Sequence, residues 1–412
     1  MADQVPLLQE FEPSLVDAKA KRVASLDVFR GLSVFLMILV DYGGSVFPII
    51  AHAPWNGIHL ADFVMPFFLF IAGISLALLY KRVPKRTEAT WKAILRAVKL
   101  FILGILLQGG YFHGITSLTY GVDIQRIRWL GILQRISIGY IVAALCEIWF
   151  PRGRCKELGF FKSYYRHWLI AVLLLAIYSG LLYGLYVPDW QFDLVTASSN
   201  GGYIYTVNCS VRGDLEPGCN SARMIDRYIL GLNHLYRKPT YRNLKECNKS
   251  VNGVFSDGAP SWCHAPFDPE GILSSITAAV SCIIGLQYGH VLAHLQVHKE
   301  RLQNWLCFSV SFFVLGLFLT LIGIPVNKSL YTISYMLLTS AAAGTTFSAL
   351  YLLVDVHGYR RLTSVLEWMG KHSLSIFVIV SSNLAVIAVQ GFYWNTPENN
   401  IVHWIVKRVA HS

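Results

Sequence analysis

Charged residues are the scarce class in this sequence. Asp, Glu, Lys and Arg supply only 14% of its 412 residues, whereas a soluble domain carries about 25%. A conventional solvated surface is therefore excluded for most of the chain. Familiar cofactor motifs are also missing. There is no P-loop, no GxGxxG in a strand–helix context and no convincing metal-ligand spacing, so neither a phosphate-cradling loop nor a resident metal is expected. No internal repeat of about 20 to 50 residues is present. A cleavable leader is missing too. Met1 to Arg22 is polar, with no apolar stretch and small-residue cleavage site before the first apolar block, and it reads as a cytosolic tail.

What is present is apolar and blocky. Hydrophobic residues make up 54% of the chain, and the mean hydropathy is +0.46. They fall in runs of about 20, the length that crosses about 30 Å of hydrocarbon. Helices satisfy their own backbone polar groups in lipid, so the expected fold is an all-α, polytopic membrane protein. The net charge of +11 raises the question of nucleic acid. The basic residues sit in short loops beside the runs, as the positive-inside rule requires, so the bilayer and not nucleic acid is the expected partner.

Nine spans are expected, at about Val28–Tyr42, Ala61–Tyr80, Ile94–His113, Leu130–Phe150, Trp168–Val187, Gly271–Ala293, Trp305–Ile324, Leu330–Val354 and Val365–Val389. Lys81, Arg82, Lys85 and Arg86 follow the second; Arg152, Arg154, Lys156, Lys162 and Arg166 follow the fourth; Lys299, Arg301, Arg360 and Arg361 lie in later links of the same side. That side is cytosolic. The chain then divides into a tail (1–22), five spans with a first hairpin (23–187), a lumenal loop (188–270), four spans (271–390) and a short tail (391–412). The run Ile401 to Val406 is too short to span, and reads as an interfacial segment or the start of a tenth or eleventh helix.

The long insert supports this orientation. Cys209, Cys219, Cys247 and Cys263 all fall in it, which suggests two disulfides in an oxidising lumen with three connectivities open. Cys146, Cys155, Cys282 and Cys307 read as packing residues. Glycosylation sequons begin at Asn208 and Asn248 in the insert and at Asn327 near the bilayer on the same side. Asp3 to Leu8 fits an acidic dileucine sorting signal, pointing to an endomembrane of lysosome or vacuole type.

Titratable groups near spans suggest function by default, and they are densest at the first hairpin. Asp41 ends span one, His52 sits in the link Ala51–Gly57, and Asp62 begins span two. A hairpin puts all three at one depth. A histidine flanked by carboxylates is an oriented general base. The structural alternatives are a surface or capping histidine, Asp62 as an N-cap, and Asp41 paired with a basic side chain.

At these residues the sequence resembles a known family. Ser25-Leu26-Asp27-Val28-Phe29-Arg30-Gly31, Val40-Asp41-Tyr42-Gly43-Gly44, His52-Ala53-Pro54-Trp55-Asn56-Gly57 and Ala61-Asp62-Phe63-Val64-Met65-Pro66 are similar to the heparan-α-glucosaminide N-acetyltransferases. So are Leu130 to Ile136, Asn233-His234-Leu235-Tyr236 and Asp268-Pro269-Glu270-Gly271. The resemblance covers about Val23 to Val389. It implies transfer of an acetyl group from cytosolic acetyl-CoA to a lumenal glucosamine-type amine, with His52 as the key residue. Animal members carry asparagine at the Asp41 position, so this chain's His52 surroundings are more acidic. Animal members also have a large lumenal domain before the first span, and its absence here looks like the plant-type branch. The acceptor stays open, as does the oligomeric state, a homodimer included.

In such a reaction His52 either removes the amine proton or carries the acetyl as an acyl-imidazole, oriented by Asp41 or Asp62. Trp55 and Asn56 are the expected acceptor contacts. The phosphates of CoA need cations, and Arg135, inside span four, is the first candidate, with Arg128, Arg30 and Lys371 beside it. The rival reading is a proton-coupled small-molecule transporter that uses Asp41, His52 and Asp62 as a relay; the inverted repeats that would favour it are not detected. A family member kept only as a scaffold is the third reading, and an intact His52 argues against it.

Overall fold

The computed structural model describes residues 23–44, 47, 49–80, 85–108, 127–150, 164–194, 203–247, 258–382, 404 and 408. The dileucine stretch, Asn248, Cys155 and all of the tail after Gln390 except Trp404 and Arg408 lie outside the described residues.

Helix α1 spans Ala24–Gly43. A 3-10 turn at Leu60–Phe63 runs into α2, Val64–Leu79. Helices α3 (Arg86–Gln108), α4 (Ile132–Trp149) and α5 (Tyr165–Gly184) follow. After the insert come α7 (Ile272–His294), α8 (His298–Leu321), α9 (Ile333–Tyr351), a π turn at Leu352–Val356, α10 (Ser364–Lys371) and α11 (Ser373–Ser381).

Among the described residues, six helices are long and apolar enough to cross a bilayer: Leu60–Leu79, α4, α5, α7, α8 and Ile333–Val356. The other three expected spans fall on helices outside this set, and the third and ninth of them run on into residues that are not described. Helix α1 carries Asp27, Arg30 and Asp41, α3 carries five charged residues from Arg86 to Lys99, and the ninth run is broken at His372 into two short helices.

Helix α7 is the axis of the bundle. Of its apolar window 89% is buried, against 22% for α5 and α8, whose outer faces suit lipid. Lipid offers helices no hydrophobic drive to associate, so close approach at small residues does that work. Gly73 of α2 and Gly285 of α7 provide it. A Cβ on Gly73 would stand 2.1 Å from the Cys282 carbonyl oxygen, and one on Gly285 2.2 Å from that of Phe70.

The insert corrects the all-α expectation. Its described residues include two small antiparallel sheets. One pairs β1 (Tyr186–Val187) with β4 (Val211–Arg212), and the other pairs β2 (Trp190–Leu194) with β3 (Tyr203–Val207). Along β2 the buried Trp190 and Phe192 alternate with outward residues, the period-two pattern of a half-buried strand. Helix α6 (Ser221–Leu230) follows, with the Asn220 side chain accepting the Arg223 N–H at its start. Disulfides join Cys209 to Cys219 and Cys247 to Cys263. The second lies in a core with Tyr178, Leu182, Tyr241 and Phe267 that also takes in Trp55 from the first hairpin.

Candidate active site

The hairpin between α1 and α2 brings His52 onto Asp62. Asp62 is the third residue of the 3-10 turn, and its carboxylate accepts the backbone N–H of His59 (2.9 Å) and of Ala53 (3.2 Å). The other oxygen lies 2.9 Å from His52 Nδ1. Asp62 thus caps the turn and orients the histidine at once. It is fully buried, while the His52 side chain is 36% exposed and open to a reactant. Tyr335 donates its hydroxyl to the Asp62 carbonyl, fixing the turn against α9.

A third group completes the centre. Lys328, in the link between α8 and α9, places Nζ 2.8 Å from His52 Nδ1, 3.3 Å from Nε2 and 3.5 Å from Asp62 Oδ1. His52 Nδ1 therefore faces both an acceptor and a donor, and one proton moved along the group changes which bond is made. Burial holds the Lys328 ammonium below lysine's ordinary pKa, against the opposing pull of Asp62 and Glu270.

The centre opens onto a cavity of about 360 Å³. Asp41, His52, Glu270 and Lys328 line one end, Arg30 and Ser75 the other, with apolar side chains such as Met65 and Phe68 between. From Arg30 to Asp41 is eleven residues of α1, about 16 Å at 1.5 Å per residue. A second cavity of about 950 Å³ shares Arg30 and Ser75 with the first and adds His298, Arg301, Tyr351 and Arg360. Arg30 is held there by Asp27 (3.3 Å) and Ser75 Oγ (3.2 Å).

The remaining expected contacts are placed otherwise. Asp41 lines the cavity without a hydrogen bond to His52 among the described residues. Trp55 is 3% exposed, donates Nε1–H to the Leu215 carbonyl at 3.0 Å and packs edge-on against Tyr241 and Phe267. Asn56 accepts the amide of Asn327 at 3.2 Å. That bond and full burial take Asn327 out of reach of a glycan, correcting its place among the sequons, whereas Asn208 is exposed. Lys371 pairs with Glu367 one turn away at 2.6 Å and lines neither cavity.

Arg128 and Arg135 tie the insert to the bundle instead of lining a cavity. Arg128 binds both Asp268 carboxylate oxygens (3.1 and 2.6 Å) and also Glu270, and stacks over Tyr236. Those carboxylates raise the Arg128 pKa despite its burial. Arg135 donates to the Pro269 carbonyl (2.6 Å) and to Ser274 Oγ, beneath the start of α7. Sequence reasoning missed Lys328, Glu270, Arg301 and Arg360 as site residues. The one available signal was that Lys328 is the sole basic residue in the short links after spans one and seven.

Asp226 sits behind this layer and caps α7, its Oδ1 accepting the Ile272 N–H at 2.8 Å. Burial raises its carboxyl from the ordinary 3.8 to about 8, against that N–H and Arg135. The folded chain keeps this proton where the unfolded chain releases it. Its contribution to stability is complete below the unfolded value and is lost as pH rises through about 8. The melting temperature should fall between about pH 4 and pH 8 more steeply in the native chain than in Asp226→Asn; equal slopes would count against a protonated Asp226.

These features define a polytopic helical membrane protein with a histidine–carboxylate–lysine centre at one end of a long internal cavity. Residues 22–161 match the sequence model of the family described as heparan-alpha-glucosaminide N-acetyltransferase, catalytic. Heparan-alpha-glucosaminide N-acetyltransferase of Mus musculus is 29% identical over 407 residues, covering 90% of this chain and 56% of the relative. The protein of the same name from Homo sapiens is 29% identical over 401 residues, covering 89% and 55%. The chain thus spans about half the length of the curated relatives it matches.

Proposed function

We propose that this protein is a transmembrane acetyltransferase that takes acetyl-CoA from the cytosolic face and acetylates a lumenal amine of the amino-sugar class. The observation that carries the reading is the cavity running from Arg30 to His52 along α1. The basic-loop asymmetry makes the Arg30 end cytosolic and the insert lumenal. A lysosome- or vacuole-type membrane fits an acceptor on that side.

The two cavities suit the donor's shape. Arg30, Arg301 and Arg360 offer cations to its phosphates, and the apolar passage between Arg30 and His52 suits the slender pantetheine arm. Acetyl-CoA supplies the activated acetyl group. The protein's own groups do the rest. Asp62 fixes the imidazole through Nδ1, leaving Nε2 to take the proton from the attacking amine and return it to the departing CoA thiolate. Lys328 stands where charge develops on the carbonyl oxygen and stabilises it. Asp41 adds negative charge that favours the imidazolium.

Sealed vesicles test the transmembrane claim. With the chain reconstituted, labelled acetyl-CoA is supplied outside and glucosamine is trapped inside. Labelled N-acetylglucosamine should accumulate inside while the vesicles stay sealed. Product that forms only when donor and acceptor share one side would overturn the proposal.

A further inference from the structure

A second cluster of titratable side chains lies at the opposite end of the bundle from His52. Glu147 is near the end of α4, His167 is near the start of α5 and His290 is near the end of α7. One oxygen or nitrogen from each lies within 4.8 Å of the others. His290 Nε2 and Glu147 Oε2 approach to 3.0 Å, and neither atom makes any other hydrogen bond among the described residues. Both histidines are 1% exposed. Neither cavity described above is lined by these residues, so catalysis as proposed does not use them.

From this geometry we propose that Glu147, His167 and His290 bind a divalent transition-metal ion of the zinc class, which ties α4, α5 and α7 together at the cytosolic ends of their spans. Two imidazoles and a carboxylate are a donor set that zinc accepts, with water in the fourth position. The surrounding bonds prepare the ligands. His167 Nε2 lies 3.2 Å from the Cys146 carbonyl, an acceptor that fixes the proton on Nε2 and leaves the Nδ1 lone pair for the metal. A second partner of this kind is the usual support of a metal-bound histidine. The Gln287 amide nitrogen lies 3.4 Å from Nδ1, a long contact that the ion would replace. Tyr164 stacks on the His290 ring at 3.9 Å, 18° from parallel, and holds its plane.

Donors bound to one tetrahedral zinc stand about 3.3 Å apart, and the three ligand atoms already lie within 4.8 Å of one another. The ligands come from three helices, 20 and 123 residues apart in sequence. No local spacing could have revealed them.

The test is metal content of the full chain in detergent, stripped with chelator, dialysed against zinc sulfate and then desalted. The native chain should retain about one zinc per chain. His167→Gln and His290→Gln should each lose it, while His357→Gln, an exposed histidine elsewhere, keeps it. Zinc retained equally by all four proteins, or by none of them when folded, overturns the proposal. Should the glutamine variants fail to fold, cobalt bound to the native chain decides. Intense visible bands of a tetrahedral nitrogen–oxygen site support it. A thiolate charge-transfer band, marking Cys146 as a ligand, or the weak bands of an octahedral ion, overturns it.

Discussion

His52→Ala is expected to lower acetyl transfer by roughly 10²–10⁴-fold, the usual contribution of a positioned acid–base group, and by more if the imidazole itself carries the acetyl group. The fold should tolerate it, because the side chain is 36% exposed and its partner Asp62 keeps the backbone N–H groups of His59 and Ala53. Binding of the donor should change little, since the cations offered to its phosphates lie at the other end of the cavity. Labelled acetyl-CoA with glucosamine measures transfer, and equilibrium binding of CoA controls for integrity. Transfer at the native rate by a folded His52→Ala protein would remove His52 from the chemistry. Asp62→Asn should also impair transfer, because an amide no longer stabilises the imidazolium although its carbonyl oxygen can still accept both N–H groups.

Arg128→Met is expected to be the most damaging single change to stability outside the spans. It leaves Asp268 and Glu270 facing each other without the guanidinium that both now bind. Breaking a buried ion pair from one side costs about 3–5 kcal/mol, because the remaining charge stays buried and uncompensated. Methionine keeps most of the aliphatic length, so the loss reports charge more than packing. A markedly lower melting temperature in detergent is the expected result, with partial recovery when Asp268→Asn and Glu270→Gln are added. A melting temperature unchanged from native would mean that the cluster is not what holds the insert to the bundle.

Where local pattern suffices, the sequence was readable. The hairpin put His52 and Asp62 at one depth because the two helices are adjacent in the chain, and the structure brings those two together. The six strongest apolar runs became helices for the same reason. Lys328 was not read, because 276 residues separate it from His52 and its lone place in the short outer links was the one local hint. Arg128 and Arg135 looked like cofactor ligands because a charge near a span needs a partner. Their partners are contributed from 134 to 142 residues away. Lys371 was different, since Glu367 stands one turn before it and the i,i+4 pair was visible. The insert's sheets escaped notice because strands of two to five residues leave little periodicity to detect.

Trp55 lies three residues beyond His52, yet its ring belongs to the aromatic core closed by the Cys247–Cys263 disulfide. The link that carries the histidine is therefore anchored on the insert as well as on Asp62 and Asn327. Part of its rigidity comes from a segment that enters the chain more than a hundred residues later. Chemical reduction, or a substitution at Tyr241 or Phe267, would be felt at the imidazole as a loss of position without touching it. The same dependence constrains divergence. An insert that diverges in shape must keep a socket for this one indole, or give up the placement of the imidazole.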